Sequence, residues 1–312
     1  MSDLPRTPDT SPTPLAAALA RRPVVLDGGL ATTLEAGGHD LSSALWSARL
    51  LVEDPEAIVE VHRQFFAAGA EIATTASYQA SYDGFAALGL AREDTDRLLR
   101  RSVALAVRAR DEAVDERPRW VAASVGPYGA ALADGSEYRG DYGRSVTELR
   151  RWHRRRLSVL ADSPADLLAC ETVPCLAEVE ALLAEVQTLG VPCWLSLTAV
   201  GDRTRAGEPL AEAYEMAAGV AEVIALGVNC VDPALVREQV RLAATVGGKP
   251  VVVYPNSGET WDARARRWTG RRTVADVDPA AWVEAGARLV GGCCRVGPEQ
   301  IADLARQLRP YS

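Results

Sequence analysis

Short apolar runs separated by amphipathic stretches recur eight times along this chain, and that alternation leaves few folds open. The runs are PVVLDGG (23–29), AEIATTAS (70–77), WVAASVG (120–126), DLLACET (166–172), CWLSLTA (193–199), VIALGVNC (223–230), PVVVYPN (250–256) and RLVGGCC (288–294). They read as continuously apolar rather than alternating, as parallel strands covered on both faces should. Between them lie helical patterns. DPEAIVEVHRQFFAAG (54–69) opens with Asp-Pro and stops at Gly, and 177–190, 232–248 and 297–309 behave alike. Eight strand-helix units predict an α/β chain folded as a single (β/α)8 TIM barrel, with its active site at the C-terminal ends of the strands. An open doubly wound sheet is the alternative. The missing G-x-G-x-x-G after the first strand counts against it.

A length of 312 residues suits one such barrel with long loops. The proline-rich opening MSDLPRTPDTSPTP (1–14) predicts a disordered leader, leaving 15–312 for the barrel. It lacks the apolar core of a signal peptide, and no run is long enough to span a bilayer, so a cytoplasmic location is expected. A formal net charge of -8 argues against nucleic acid or an anionic membrane as partner. The basic run RRWHRRR (150–156) is therefore read as a solvated helix face, and His62 and His153 as solvated or satisfied. No Ser-His-Asp arrangement suggests itself, and no residue is assigned as a general acid or base.

The unusual residues fall at the strand ends. They are Asp27-Gly28-Gly29, Thr75 and Ser77, Gly126-Pro127-Tyr128, Glu171-Thr172, Ser196 and Thr198, Asn229-Cys230, Tyr254-Pro255-Asn256, and Cys293-Cys294. The chain contains two asparagines, Asn229 and Asn256, and both are in this set. Strands six and eight lie two apart around a barrel, so Cys230, Cys293 and Cys294 can face one cavity. Adjacent cysteines on a strand would point to opposite faces. If the strand stops at Gly291-Gly292, both thiols can turn to one side. Three thiolates suit Zn2+ and leave a fourth position open, the mark of a catalytic site. Buried filler and a bridge between neighbours are the competing readings. Cys170, Cys175 and Cys193 are read as core or loop residues.

Zinc held by three thiolates is electron-rich and a poor Lewis acid for carbonyls. It suits binding a substrate thiol and lowering its pKa without quenching its nucleophilicity. Alkyl transfer to a thiol follows. Asp27 and Glu171 can pair with an α-ammonium, and the N–H groups of Gly28 and Gly29 can approach a carboxylate closely.

These residues carry a resemblance. LDGGLATTLEAGG, LWSARLL, TTASYQAS, SVGPYGAALADGSEYRGDY, LLACETVP, ALGVNC, VVVYPNSGE and GARLVGGCC, spread from about Pro23 to Leu308, resemble the zinc-dependent homocysteine S-methyltransferases, in particular the S-methylmethionine-using branch. The resemblance implies Zn2+ on Cys230, Cys293 and Cys294 with homocysteine sulfur in the fourth position. It implies Asp27 and Glu171 on the amino group, with Gly28, Gly29 and Thr75 helping to place the substrate. The substrates implied are homocysteine and a sulfonium methyl donor: S-methylmethionine, with S-adenosylmethionine secondary. A cationic donor would be attracted by an aromatic wall, for which Trp46, Tyr78, Tyr128 and Tyr254 are candidates. Ser77, Asn229 and Asn256 are candidates for donor contact or support. The segment GDRTRAGEPL (201–210) lacks the Asp-Gly that many relatives carry before the corresponding proline, at a loop that can border the donor.

Three alternatives stand beside this reading. One is a methyltransferase of the same superfamily with another donor, such as betaine. Another is a non-catalytic zinc or thiol-binding barrel. The third is a redox sensor using Cys293-Cys294.

Overall fold

The computed structural model describes residues 14–41, 46–262 and 267–311. Eight parallel strands form one sheet: β1 Val24–Val25, β2 Ile72–Thr74, β3 Trp120–Val125, β4 Leu167–Val173, β5 Cys193–Leu197, β6 Val223–Asn229, β7 Val251–Tyr254 and β8 Ala287–Val290. Each pairs with its sequence neighbour, and β1 pairs with β8. A bridge between Leu26 and Ile72, with Glu71 N–H donating to the Val25 carbonyl at 2.8 Å, joins β1 to β2 and closes the ring. This is the expected (β/α)8 barrel. Apart from β4, which is as long as its run, the strands are shorter than the apolar runs, because those runs continue into the loops that carry the site. Of the expected leader only Pro14 falls within the described residues, and it opens the short helix Pro14–Leu19.

The outer ring is α1 Pro55–Ala68, α2 Arg92–Asp111, α3 Val146–Ala161, α4 Leu176–Leu189, α5 Leu210–Ala218, α6 Val236–Gly247, α7 Pro279–Ala285 and α8 Pro298–Leu308. Local chemistry sets their ends. The Asp54 side chain caps α1 by accepting from Ala57 N–H, Pro55 fills its first turn, and Gly69 at φ 110° ends it. The expected helix over 232–248 begins instead with a 3-10 turn, Pro233–Leu235, before α6.

Strand parity divides the core into two clusters. Val24, Leu26, Ile72, Trp120, Ala122, Leu167, Ala169, Trp194, Ala225, Val252 and Leu289 fill the barrel, and Leu15 and Leu19 plug its N-terminal end. The alternate residues, among them Val25, Ala73, Val121, Ala123, Leu168, Cys170, Leu195 and Val253, pack outward against the helices. Both faces are dry, which is why the strands read as unbroken apolar runs. Continuing the inward count by two places Thr74, Ser124, Glu171, Ser196, Asn229 and Tyr254 in the last layer, at the C-terminal end. Cys170, Cys175 and Cys193 are buried free thiols, in keeping with their reading as core or loop residues.

Two readings are corrected. RRWHRRR is not simply a solvated face: His153 and Arg156 on α3 are fully buried. His153 Nε2 bonds Glu178 Oε1 at 2.8 Å, and Arg156 donates to the Gly126 carbonyl. Glu178 Oε1 also accepts from Tyr128 N–H at 2.6 Å, so this basic helix anchors the loop after β3. His62 on α1 is neither solvated nor satisfied. It is fully buried, and neither ring nitrogen has a hydrogen-bond partner among the described residues. Burial pushes it down to about 4. Among the described residues no helix is long and apolar enough to cross a membrane.

Candidate active site

The strand ends surround one cavity, lined among others by Asp27, Gly28, Gly29, Thr75, Tyr78, Glu137, Tyr138, Glu171, Asn229, Tyr254, Cys230, Cys293 and Cys294. Its floor is the last inward layer of the barrel, and its wall is the loops beyond. The inward count explains Glu171, Asn229 and Tyr254, and it adds Ser124, the one of the four that sequence reading passed over.

At one side the sulfurs of Cys230, Cys293 and Cys294 lie within 4.8 Å of one another, where one metal ion could take all three. The backbone makes this possible. β8 ends at Val290, before the glycines, as the two-thiol argument requires. A Cβ on Gly292 would stand 2.1 Å from Val296 Cγ1, so only glycine lets the chain turn back there. The turn is pinned to the loop after β7. Cys293 N–H donates to the Pro255 carbonyl at 2.7 Å, and Cys294 N–H to Asn256 Oδ1 at 3.2 Å. Cys230 sits at φ 50° and Arg295 at φ 66°, a left-handed geometry that non-glycine residues hold only when their surroundings impose it. Hydrogen bonds from Cys293 and Cys294, with further ones from Thr172 and Tyr138, hold the Cys230 thiol well below its usual range. The same bonds push Cys293 and Cys294 up. Within the cluster, ionisation is therefore favoured at Cys230 and disfavoured at Cys293 and Cys294.

The other side of the cavity carries two buried acids. Asp27 accepts from Thr74 N–H at 2.7 Å and from Thr74 Oγ1 at 2.9 Å. Glu171 accepts from Ser124 Oγ and from the Tyr254 hydroxyl, the latter at 2.9 Å. Burial pushes Asp27 up to about 8 and Glu171 to about 7. Among the described residues no cation pairs with either, so each is a buried acid facing a cavity without a counter-ion. A bound ammonium would supply one.

The remaining expected residues divide. Tyr78 and Tyr254 line the cavity, and Tyr254 also bonds Ser196 Oγ and Trp194 Nε1. Thr75 Oγ1 lies 2.7 Å from Ser77 Oγ, which donates to the Ser124 carbonyl, so Ser77 is spent on scaffolding. Asn256 supports Cys294. Tyr128 turns away and packs edge-on against Tyr142 and Trp152 at 5.4 and 5.2 Å. The Trp46 side chain lies outside the described residues. The Gly29 N–H, expected to face a carboxylate, donates instead to the Val296 carbonyl at 2.9 Å, because this loop is stitched to the turn after β8. A Cβ on Gly29 would stand 2.5 Å from the Cys293 carbonyl oxygen. Glu137 and Tyr138, on the 3-10 turn Ser136–Tyr138, were not singled out from sequence.

The model of the homocysteine S-methyltransferase family matches residues 24–308. The chain belongs to this family. Among curated relatives, homocysteine S-methyltransferase YbgG from Bacillus subtilis is 44% identical, over 92% of this chain and 94% of that one. A homocysteine S-methyltransferase from Escherichia coli is 46% identical, over 93% and 97%. The metallated form of the Escherichia coli homocysteine methyltransferase MmuM superposes with a TM-score of 0.85 at 43% identity, covering 94% of this chain and 99% of that one. Family membership fits a cavity that carries three thiols and two buried acids.

Proposed function

We propose that this chain is a zinc-dependent homocysteine S-methyltransferase that transfers a methyl group from a sulfonium donor, S-methylmethionine first and S-adenosylmethionine second, to make methionine. The observation that carries the reading is the pairing, in one cavity, of three clustered thiols with two buried carboxylates that lack a counter-ion. The donor set fits zinc: three soft sulfurs from two loops, one of them already held toward thiolate.

Cys230, Cys293 and Cys294 would hold the ion, which when bound supplies acidification of the acceptor thiol at neutral pH. The chain's own residues do the rest. Asp27 and Glu171 hold the acceptor's ammonium, and its charge brings both carboxyls down from their raised values. Gly28 lines the cavity, and a Cβ there would stand 2.2 Å from the Val296 carbonyl oxygen, so glycine lets this wall pack against the turn after β8. Thr74, Ser124 and Tyr254 fix the carboxylates, so little ordering remains to be done on binding. Tyr78 and Tyr138 line the cavity, and an aromatic ring there attracts a cationic sulfur. The methyl carbon passes from sulfonium to thiolate, and the leaving group departs as a neutral thioether. No general acid is required, and none of the buried acids has to serve as one. A reducing cytoplasmic setting, which keeps three neighbouring thiols reduced, suits this site.

The test is methionine formation from homocysteine with each donor, with and without a zinc chelator. Chelator-sensitive turnover, faster with S-methylmethionine, is the expected result. No turnover from verified zinc-loaded protein with either donor would overturn the assignment.

A further inference from the structure

We propose that Glu137 and Arg205, which flank Tyr138, read the charged amino-acid end of the methyl donor. The inference rests on the sulfonium-donor reading above and adds the residues that choose the donor's class.

Glu137 lines the same cavity as the three cysteines. Its Oε2 is buried and has no hydrogen-bond partner among the described residues. Buried carboxylate oxygens are normally satisfied, so an orphan facing a cavity points to a missing donor group. Its neighbour in sequence, Arg139, is committed to Asp134 and Asp141 at 3.6 and 3.4 Å. Arg205 is the complementary case. Its guanidinium stacks on the Tyr138 ring, 5.5 Å from the centroid, and Nε donates to Thr198 Oγ1 at 3.1 Å. Among the described residues no carboxylate pairs with it. A half-buried guanidinium with most of its five donors unused is set up for a carboxylate.

These opposite charges sit next to the same aromatic ring and do not pair with each other. That separation matches a zwitterion, an ammonium for Glu137 and a carboxylate for Arg205, with the cationic sulfur on the Tyr78 and Tyr138 faces. The acceptor's ammonium does not compete, because Asp27 and Glu171 already face it. Arg205 lies in the segment after β5 that departs from the family pattern. Thr198 Oγ1 also donates to the Cys230 carbonyl at 3.3 Å, so this segment is tied to the thiol cluster. An amino-acid sulfonium fits both charges. Betaine or dimethylsulfoniopropionate, whose only cation is the methyl-bearing onium centre and which carry no separate N–H ammonium, would leave Glu137 unpaired.

The experiment uses zinc-loaded wild type, Glu137→Gln, Arg205→Met and Arg205→Lys. Donors are S-methylmethionine, dimethylsulfoniopropionate (no ammonium) and (3-aminopropyl)dimethylsulfonium (no carboxylate), taken as substrates or, where turnover is slow, as competitive inhibitors. Loss of one charged hydrogen bond predicts that Glu137→Gln raises the S-methylmethionine KM at least about tenfold. The homocysteine KM should stay within about twofold. The penalty should vanish with dimethylsulfoniopropionate. Arg205→Met should show the mirror pattern, vanishing with the carboxylate-free donor, and Arg205→Lys should recover part of it. Equal effects on all three donors, or no effect on S-methylmethionine in either variant, would overturn the proposal. A wild type inert toward every sulfonium would instead bring down the functional reading itself. Direct titration of S-methylmethionine into wild type and Glu137→Gln would still decide whether Glu137 binds it.

Discussion

Asn229 and Thr172 exchange two hydrogen bonds between strands that are not neighbours. Thr172 N–H donates to Asn229 Oδ1 and Asn229 Nδ2 donates to Thr172 Oγ1, both at 2.7 Å, while Ser196 Oγ on the intervening β5 donates to the same Oδ1 at 2.9 Å. Thr172 is held at φ 60°, directly after Glu171, and Asn229 directly precedes Cys230 at φ 50°. One amide thus ties the acid-bearing side of the cavity to the thiol side. Asn229→Ala leaves a buried N–H and two hydroxyls short of partners and is expected to cost about 1–3 kcal/mol of stability. The homocysteine kcat/KM should fall at least about tenfold, because both half-sites lose their register. Urea unfolding and steady-state kinetics check this. A variant unchanged in both would show the bridge to be incidental.

His62 makes an independent prediction about stability. It is buried in α1 with both ring nitrogens unpaired, and burial lowers it from 6.5 to about 4. The unfolded chain therefore binds a proton that the folded chain refuses. Stability falls as pH drops from 6.5 to about 4 and is flat below, by on the order of 3 kcal/mol. His62→Leu removes two unsatisfied polar atoms at similar volume. It should be neutral or stabilising by about 1 kcal/mol at pH 7, with a shallower acid limb. Denaturant unfolding between pH 4 and 7 reads both. An acid limb identical to that of wild type would remove His62 from the account.

The barrel was legible because parallel strands buried on both faces leave unbroken apolar runs, and Gly and Asp-Pro mark the helix ends. Cys230, Cys293 and Cys294 were legible because strand order brings distant ends together and the glycines stop β8. Ser124 could have been found by counting inward from Trp120 in steps of two. Glu137, Tyr138 and Arg205 lie on loops, where no period tells which way a side chain points. Tyr128 was read as a cavity wall because its direction depends on a tertiary bond to Glu178. The orphan nitrogens of His62 depend on what α1 packs against, and leave no mark in the sequence.

Metal loading should depend on each thiol of the cluster. Cys293→Ser is expected to lose most bound zinc and to drop activity by more than about 100-fold, beyond the usual cost of altering a ligand's support. Zinc content by mass spectrometry separates this from a folding defect, provided the thermal transition of the metal-free proteins is compared. Retained zinc together with retained activity would place the metal elsewhere.

The two carboxylates predict how binding follows pH. Methionine carries the ammonium but no thiol, so its binding isolates this half of the cavity. In the free protein Asp27 holds its proton up to about 8 and Glu171 up to about 7, because burial disfavours their charges. The folded chain binds more protons than the unfolded one between about pH 4 and 8, so ligand-free stability should decline as pH rises through that window. Ligand binding runs the other way. An ammonium requires the ionised carboxylates, so affinity should rise with pH. The slope should approach about tenfold per pH unit between 7 and 8 and be steeper below 7, where both protons must leave. Calorimetry in buffers of different ionisation enthalpy should register proton release near pH 7. Glu171→Gln should weaken binding at pH 8 and leave a shallower slope below 7, with Asp27 alone titrating. An affinity independent of pH from 6 to 8 would mean that neither carboxylate changes its proton on binding, and the ammonium would have to be seated away from Asp27 and Glu171.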